Sequence, residues 1–202
     1  MLSLAIFVSG RGSNLRAVLE SPKLKDLIKV EAVVGDKLYC PAFDTAKSFL
    51  IPVYSVGNKE GLISFDELKI ILKKSGIDLI VLAGFLKLIP EDFVKAFQNR
   101  IINIHPALLP SFGGTGMYGM NVHKAVFESS AKVSGVSVHY VDETYDTGKI
   151  IAQRCVDISD VNSPEEIAER VLRIEHQLLS EVIEKIALGK VFVEKFRVRV
   201  ET

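Results

Sequence analysis

The sequence predicts an α/β fold: a doubly wound, mostly parallel sheet with helices on both faces. Three observations carry this. Apolar runs such as Leu4–Val8 and Leu79–Ala83 show no polar alternation, as in strands buried on both faces. Helical patterns alternate with strands through the first half, which calls for right-handed crossovers. Three strand ends, Gly10–Asn14, Gly84–Ile89 and Asn103–His105, are glycine-bearing or polar, and parallel sheets bind ligands at one such rim.

The elements follow in order. After Leu4–Val8 comes Ser9-Gly10-Arg11-Gly12-Ser13-Asn14, then a helix with Leu15, Val18 and Leu19 on one face. A glycine turn between a strand and a helix start offers backbone N–H groups and a positive dipole end to an anion. We read Gly12, Ser13 and Asn14 as a cradle for one phosphate, against a plain tight turn capped by Asn14. The dinucleotide fingerprint is excluded because its third glycine falls at Leu15. Val30–Val34 is a strand, Pro41–Leu50 a short helix and Pro52–Val56 a short strand. Leu62, Phe65, Leu68, Ile71 and Leu72 recur at helical spacing and Gly76 ends that helix. Strand Asp78–Ala83 breaks at Gly84, which permits close backbone approach to a ligand. On apolarity alone Phe85–Ile89 is core. Glu91–Phe97 is a helix, and Ile101–His105 is a strand stopped by Pro106.

Asn103 and His105 are two residues apart and share a strand face. Glycine-rich Ser111–Met120 is expected to be a mobile loop over the rim, followed by helix Asn121–Glu128. Strands Ser134–Val141 and Gly148–Val156 flank a polar connection that contains Asp142 and Asp146. Ser163-Pro164-Glu165-Glu166 is a capping box that opens a helix running to about Leu188, and Val191–Phe196 is a last strand.

The 202 residues suit a single domain, with a phosphate-binding half (1–100) and a catalytic half (101–202). A net charge of +0 leaves no electrostatic footprint for nucleic acid or an anionic membrane. No apolar run reaches membrane-spanning length. Cys40 and Cys155 stand in no motif and fit a reducing compartment, by default the cytoplasm. The four histidines show no metal spacing, so no metal is expected. No serine nucleophile elbow occurs.

What remains is an amide, an imidazole and a carboxylate near a phosphate cradle. That set suits acyl transfer in which the substrate brings its own nucleophile. Asn103 and a protonated His105 would stabilise the oxyanion. Asp146 would raise the imidazole pKa and help move the proton.

Ser9–Asn14, Leu82–Phe85, Asn103–Pro110, Ser137–Val141 with Asp146-Thr147-Gly148, and Glu175-His176 together resemble the phosphoribosylglycinamide formyltransferases, folate-dependent enzymes of purine synthesis. The match runs along essentially the whole chain. The resemblance implies a Rossmann-like formyltransferase fold and direct formyl transfer from 10-formyltetrahydrofolate to the amine of glycinamide ribonucleotide. It implies that Gly12, Ser13, Asn14 and Gly84 bind the ribonucleotide, with Glu175 at its amine. It further implies that Leu86, Lys87, Leu88, Ile89, Asn103, Val141 and Asp142 hold the folate. Asn103, His105 and Asp146 would be catalytic, with His139 behind them, and the enzyme would be a monomer or homodimer.

Departures are the length of Ser111–Met120, Gly113 where many members carry proline, and no clear match for two anion-binding bases, for which Lys59 and Arg173 are the nearest. Three other readings compete. A 10-formyltetrahydrofolate hydrolase would carry an extra N-terminal domain, whereas the first strand here is expected at Leu4. A tRNA formyltransferase would carry a C-terminal RNA-binding domain. A non-catalytic phosphosugar-binding module would not need Asn103, His105 and Asp146 together.

Overall fold

The run Leu4–Val8 forms most of strand β1 (Leu2–Val8), and all five side chains are fully buried. In the computed structural model, which describes residues 1–201, β1 pairs in parallel with β2 (Ile28–Gly35) and with β4 (Leu79–Leu82). β2 pairs in parallel with β3 (Val53–Ser55). The order β3-β2-β1-β4 reverses the direction of winding between β1 and β4, the switch point of a doubly wound sheet. The full order is β3-β2-β1-β4-β5-β6-β7, with β5 at Ile101–His105, β6 at Val133–Tyr140 and β7 at Ile150–Asp157. β6 and β7 are antiparallel. This is the expected mostly parallel sheet.

Two compact units divide the chain, Met1–Ile102 and Asn103–Thr202. In the first, α1 (Ser13–Leu19) packs with α2 (Ala42–Ser48), and α3 (Phe65–Lys74) packs with α4 (Glu91–Ala96). Right-handed crossovers put α1 and α2 on one face and, after the reversal, α3 and α4 on the other. Edge-on contacts among Phe7, Phe65, Phe85 and Phe93 build the core beside α3 and α4. In the second unit, α5 (Met120–Glu128) and the long α6 (Pro164–Ala187) pack together, and α6 also packs on β6 and β7.

Two details differ from the expectation, and the alternative of an Asn14 cap is removed. Helix α3 starts at Phe65 because Ser64 caps it: Glu67 N–H donates to Ser64 Oγ, and Ser64 N–H donates to the Glu67 carboxylate. Leu62 therefore lies outside the helix. Asn14 is not a cap, since Gly12 holds that position at φ 74 and Asn14 is buried inside α1. The C-terminal segment is a hairpin, not one strand: β8 (Val191–Val193) pairs antiparallel with β9 (Val198–Val200). Glu194 N–H donates to Arg197 O at 2.9 Å and reverses the chain, while the Arg199 guanidinium lies 4.3 Å from the Phe192 ring centre.

Candidate functional site

At the switch point of the first unit the ends of β1 and β4 are tied together. Ser9 N–H donates to Gly84 O at 3.0 Å, and Leu86 N–H donates to Ser9 Oγ at 2.9 Å. Two of the predicted rim segments therefore meet. The turn into α1 needs its glycine: a Cβ on Gly12 would lie 2.7 Å from that of Ala42. The first-turn N–H groups of α1 have no acceptor within the helix by geometry, and the Ser13 side chain beside them is exposed. The predicted folate-lining segment splits in two. Ile89, like Phe85, is core, whereas Leu86 and Leu88 are about half exposed at 45% and 51%. Lys87 is half-buried.

The second unit brings four polar side chains into one cluster. Asn103 and His105 leave the same face of β5, as their spacing predicts, with His105 only 3% exposed. Asp146, in left-handed backbone at φ 57, sets Oδ2 at 3.6 Å from His105 Nδ1. Its Oδ1 lies 3.5 Å from both His139 Nε2 and Asn103 Nδ2. His139, expected behind these residues, backs them with Nε2 at 3.1 Å from Asn103 Nδ2. A bulge places it: the pairing of β6 with β7 shifts register between Val138 and His139.

Main-chain groups fix both imidazoles. His105 Nε2 lies 2.8 Å from Phe112 O, and His139 Nδ1 lies 2.8 Å from Tyr140 O. A carbonyl only accepts, so these two nitrogens carry the protons. Asn103 is oriented with its NH2 group toward His139 Nε2 and the Asp146 carboxylate. Gly114 N–H donates to Asp146 Oδ2 at 2.9 Å. Thus the start of the glycine-rich loop, expected to be a mobile cover, is tied into the cluster.

Ser137 and Gln153 hold the segment that leads into that loop. The fully buried Ser137 Oγ donates to Ala107 O at 2.8 Å and accepts from Leu109 N–H at 2.9 Å, while Gln153 Nε2 donates to Leu109 O at 2.9 Å. Phe112, Gly114 and Gln153 were not anticipated. The signal available was a serine at a buried strand position, which needs partners. Asp142 is exposed and holds the connection's own turn, accepting from Thr144 N–H and Thr147 Oγ1. Val141 and Glu175 are half-buried.

The electrostatics correct one expectation. Asp146 and the Phe112 carbonyl do pull the His105 imidazole upward, but burial outweighs them and holds it below the usual value. For Asp146, burial pushes upward, and His139, His105 and the Gly114 N–H together bring it below the usual carboxylate value. Burial also lowers His123, helped by the charge of His105, and it lowers His176. A histidine with a depressed folded pKa is protonated first in the unfolded chain, so the unfolded state binds more protons as pH falls below about 6.5. Stability is then full above that pH and declines below it. Asp146 adds a second loss in stronger acid, below its unfolded value of 3.8. The urea midpoint is expected to be lower at about pH 5.5 than at about pH 7.5, with a shallower slope in His123→Leu. A flat profile, or a slope that His123→Leu leaves unchanged, contradicts this.

Among the described residues no cluster of three or more His, Cys, Asp or Glu side chains is placed to hold a metal ion. Among the same residues, no helix is long and apolar enough to cross a membrane.

The fold that carries these side chains belongs to a known class. Residues 2–183 match the formyl transferase family, and the chain is a member of it. The chain is 36% identical over 190 residues to the phosphoribosylglycinamide formyltransferase of Bacillus subtilis, a match covering 92% of this chain and 95% of that protein. It is 48% identical over 186 residues to the chloroplastic phosphoribosylglycinamide formyltransferase of Arabidopsis thaliana, covering 89% of this chain but only 63% of that protein. The chain thus spans less than two thirds of the plant relative. The crystal structure of the phosphoribosylglycinamide formyltransferase from Anaplasma phagocytophilum superposes with a TM-score of 0.89 at 30% identity, covering 100% of this chain and 95% of that one.

Proposed function

We propose that this chain transfers the formyl group of 10-formyltetrahydrofolate to the amine of glycinamide ribonucleotide, a step of purine synthesis. The observation that carries the reading is the Asn103–His105–Asp146–His139 cluster in a chain so similar, over nearly its full length, to phosphoribosylglycinamide formyltransferases. The substrate amine attacks the formyl carbon and a C–N bond forms. The carbonyl oxygen becomes an oxyanion held by the Asn103 amide hydrogen nearest Asp146 and by His105. The oxyanion's charge favours the imidazolium, offsetting the burial that disfavours it beforehand. The bond to folate N10 then breaks, and the proton lost by the amine reaches N10 through a water held by Asp146. No covalent enzyme intermediate forms.

Gly12, Ser13, Asn14 and Gly84 hold the ribonucleotide in this reading, with Glu175 at its amine. Leu86, Lys87, Leu88, Ile89, Val141 and Asp142 serve the folate, where the exposed Leu86 and Leu88 offer apolar contact and the buried Ile89 backs them. The proposed compartment is the cytoplasm, and both cysteines being free thiols supports a reducing one. Ser13→Ala is expected to raise the KM for the ribonucleotide about tenfold with kcat little changed, the pattern of lost ground-state binding. An unchanged KM removes Ser13 from the phosphate site.

The test is to incubate the purified protein with 10-formyltetrahydrofolate, with and without glycinamide ribonucleotide. Formyl transfer only when the ribonucleotide is present supports the proposal. Formate release without it replaces transfer by hydrolysis, and no turnover in either case leaves a binding protein.

A further inference from the structure

Two non-glycine residues beside His105 hold left-handed backbone, Asp146 at φ 57 and Phe112 at φ 54. That conformation is unfavourable for an L residue, so it persists only where its surroundings enforce it. Asp146 has a visible reason in its carboxylate contacts. Phe112 has one only in its main chain. Its ring is half-buried, and its carbonyl takes the His105 Nε2–H at 2.8 Å. Two residues on, Gly114 N–H holds Asp146 Oδ2, the oxygen that faces His105 Nδ1. The backbone of Phe112–Gly114 thus acts on both sides of one buried imidazole, at Nε2 directly and at Nδ1 by way of the Asp146 carboxylate.

The other tautomer would set a bare Nε2 lone pair against the Phe112 carbonyl oxygen, a repulsive contact in a buried site. We infer that Phe112 is a positioning residue that acts through its backbone: its left-handed conformation aims its carbonyl at His105 Nε2, fixes that proton there, and so turns Nδ1 toward Asp146. Proton exchange at His105 then takes place at Nδ1 only. The ring of Phe112 is incidental to this role. The kinetic consequence rests on the formyl-transfer reading, but the tautomer does not.

The pair Phe112→Gly and Phe112→Val separates backbone from side chain. Both remove the ring. Glycine adopts positive φ freely, whereas a β-branched residue resists it. Two-bond proton–nitrogen correlation spectra of the full chain, with 15N-labelled histidine and at alkaline pH, report the tautomer of His105 directly. The wild type and Phe112→Gly are expected to show a pyrrole-type Nε2 and a pyridine-type Nδ1. Phe112→Val is expected to show mixed tautomers, with kcat at least about tenfold lower and KM values within about threefold.

A pyridine-type Nε2 in the wild type overturns the inference, and that measurement needs no variant to fold. So does a tautomer that Phe112→Gly disturbs as much as Phe112→Val, or one that Phe112→Val leaves intact. Should the wild type carry the expected tautomer yet transfer no formyl group, the functional reading falls and the positioning role of Phe112 stands.

Discussion

Asp146→Asn is expected to lower kcat by at least about a hundredfold while leaving the fold intact, the scale of lost proton transfer and charge stabilisation in a preorganised site. The substitution is nearly isosteric, and asparagine tolerates the left-handed backbone that this position requires at φ 57. The amide oxygen can still accept the Gly114 N–H now held at 2.9 Å. What disappears is the negative charge 3.6 Å from His105 Nδ1, together with one acceptor, replaced by an NH2 group near His139 and Asn103. Without that charge, only the Phe112 carbonyl opposes the effect of burial on His105, and the imidazolium that the proposed reaction calls for becomes harder to form. Steady-state kinetics with both substrates varied should show the loss in kcat, with KM values little changed. The thermal midpoint should stay within a few degrees of the wild type. Turnover within about tenfold of the wild type would remove Asp146 from the proton path.

The strand-borne half of this cluster was legible in the sequence and the loop-borne half was not. Asn103 and His105 could be read because a strand has a period of two, so their spacing alone places both on one face. Asp146 lies outside any periodic element and looks like a turn residue, and a turn residue is also what its positive φ makes it. It was singled out by the chemistry, which called for a carboxylate beside the imidazole, and again by the family resemblance. Phe112 O and Gly114 N–H were invisible because every residue but proline has both groups, so they leave no mark on residue type. His139 was expected behind the catalytic residues and lies against Asn103 and Asp146, but the register shift that aims it there is a property of strand pairing and not of local sequence.

For the fold, the doubly buried runs marked the strands of a mostly parallel sheet, while their order is seen only in the structure. The capping box Ser64–Glu67 stood in the sequence as Ser-x-x-Glu, yet the apolar spacing drew the helix start earlier. The C-terminal hairpin was missed because Val191–Val193 and Val198–Val200 are too short for periodicity to register. The direction of the His105 shift was missed for a related reason. The carboxylate partner was foreseen, but burial depends on packing that the sequence does not state.

His105→Ala is expected to lower kcat by at least about a hundredfold as well, and the origin of the loss can be separated from simple disruption. The side chain is 3% exposed, so its removal leaves a small cavity and strips the Phe112 carbonyl of its donor. An unsatisfied buried acceptor costs about 1–3 kcal/mol, enough to lower the thermal midpoint by several degrees without unfolding a chain of this size at 25 °C. Activity is therefore to be measured well below the midpoint, beside a control that loosens the same loop with the imidazole in place. Ser137→Ala serves, because Ser137 holds the Ala107–Leu109 segment through its hydrogen bonds to Ala107, Leu109 and Gln153. If His105 acts on the oxyanion, His105→Ala falls far below Ser137→Ala at equal loss of stability, and the deficit lies in kcat and not in KM. If the two variants lose activity in proportion to stability, His105 is a structural residue and Asn103 would have to carry the oxyanion alone. A single amide donor is worth on the order of 3–4 kcal/mol in such sites, so the two outcomes differ by a margin that steady-state kinetics resolves.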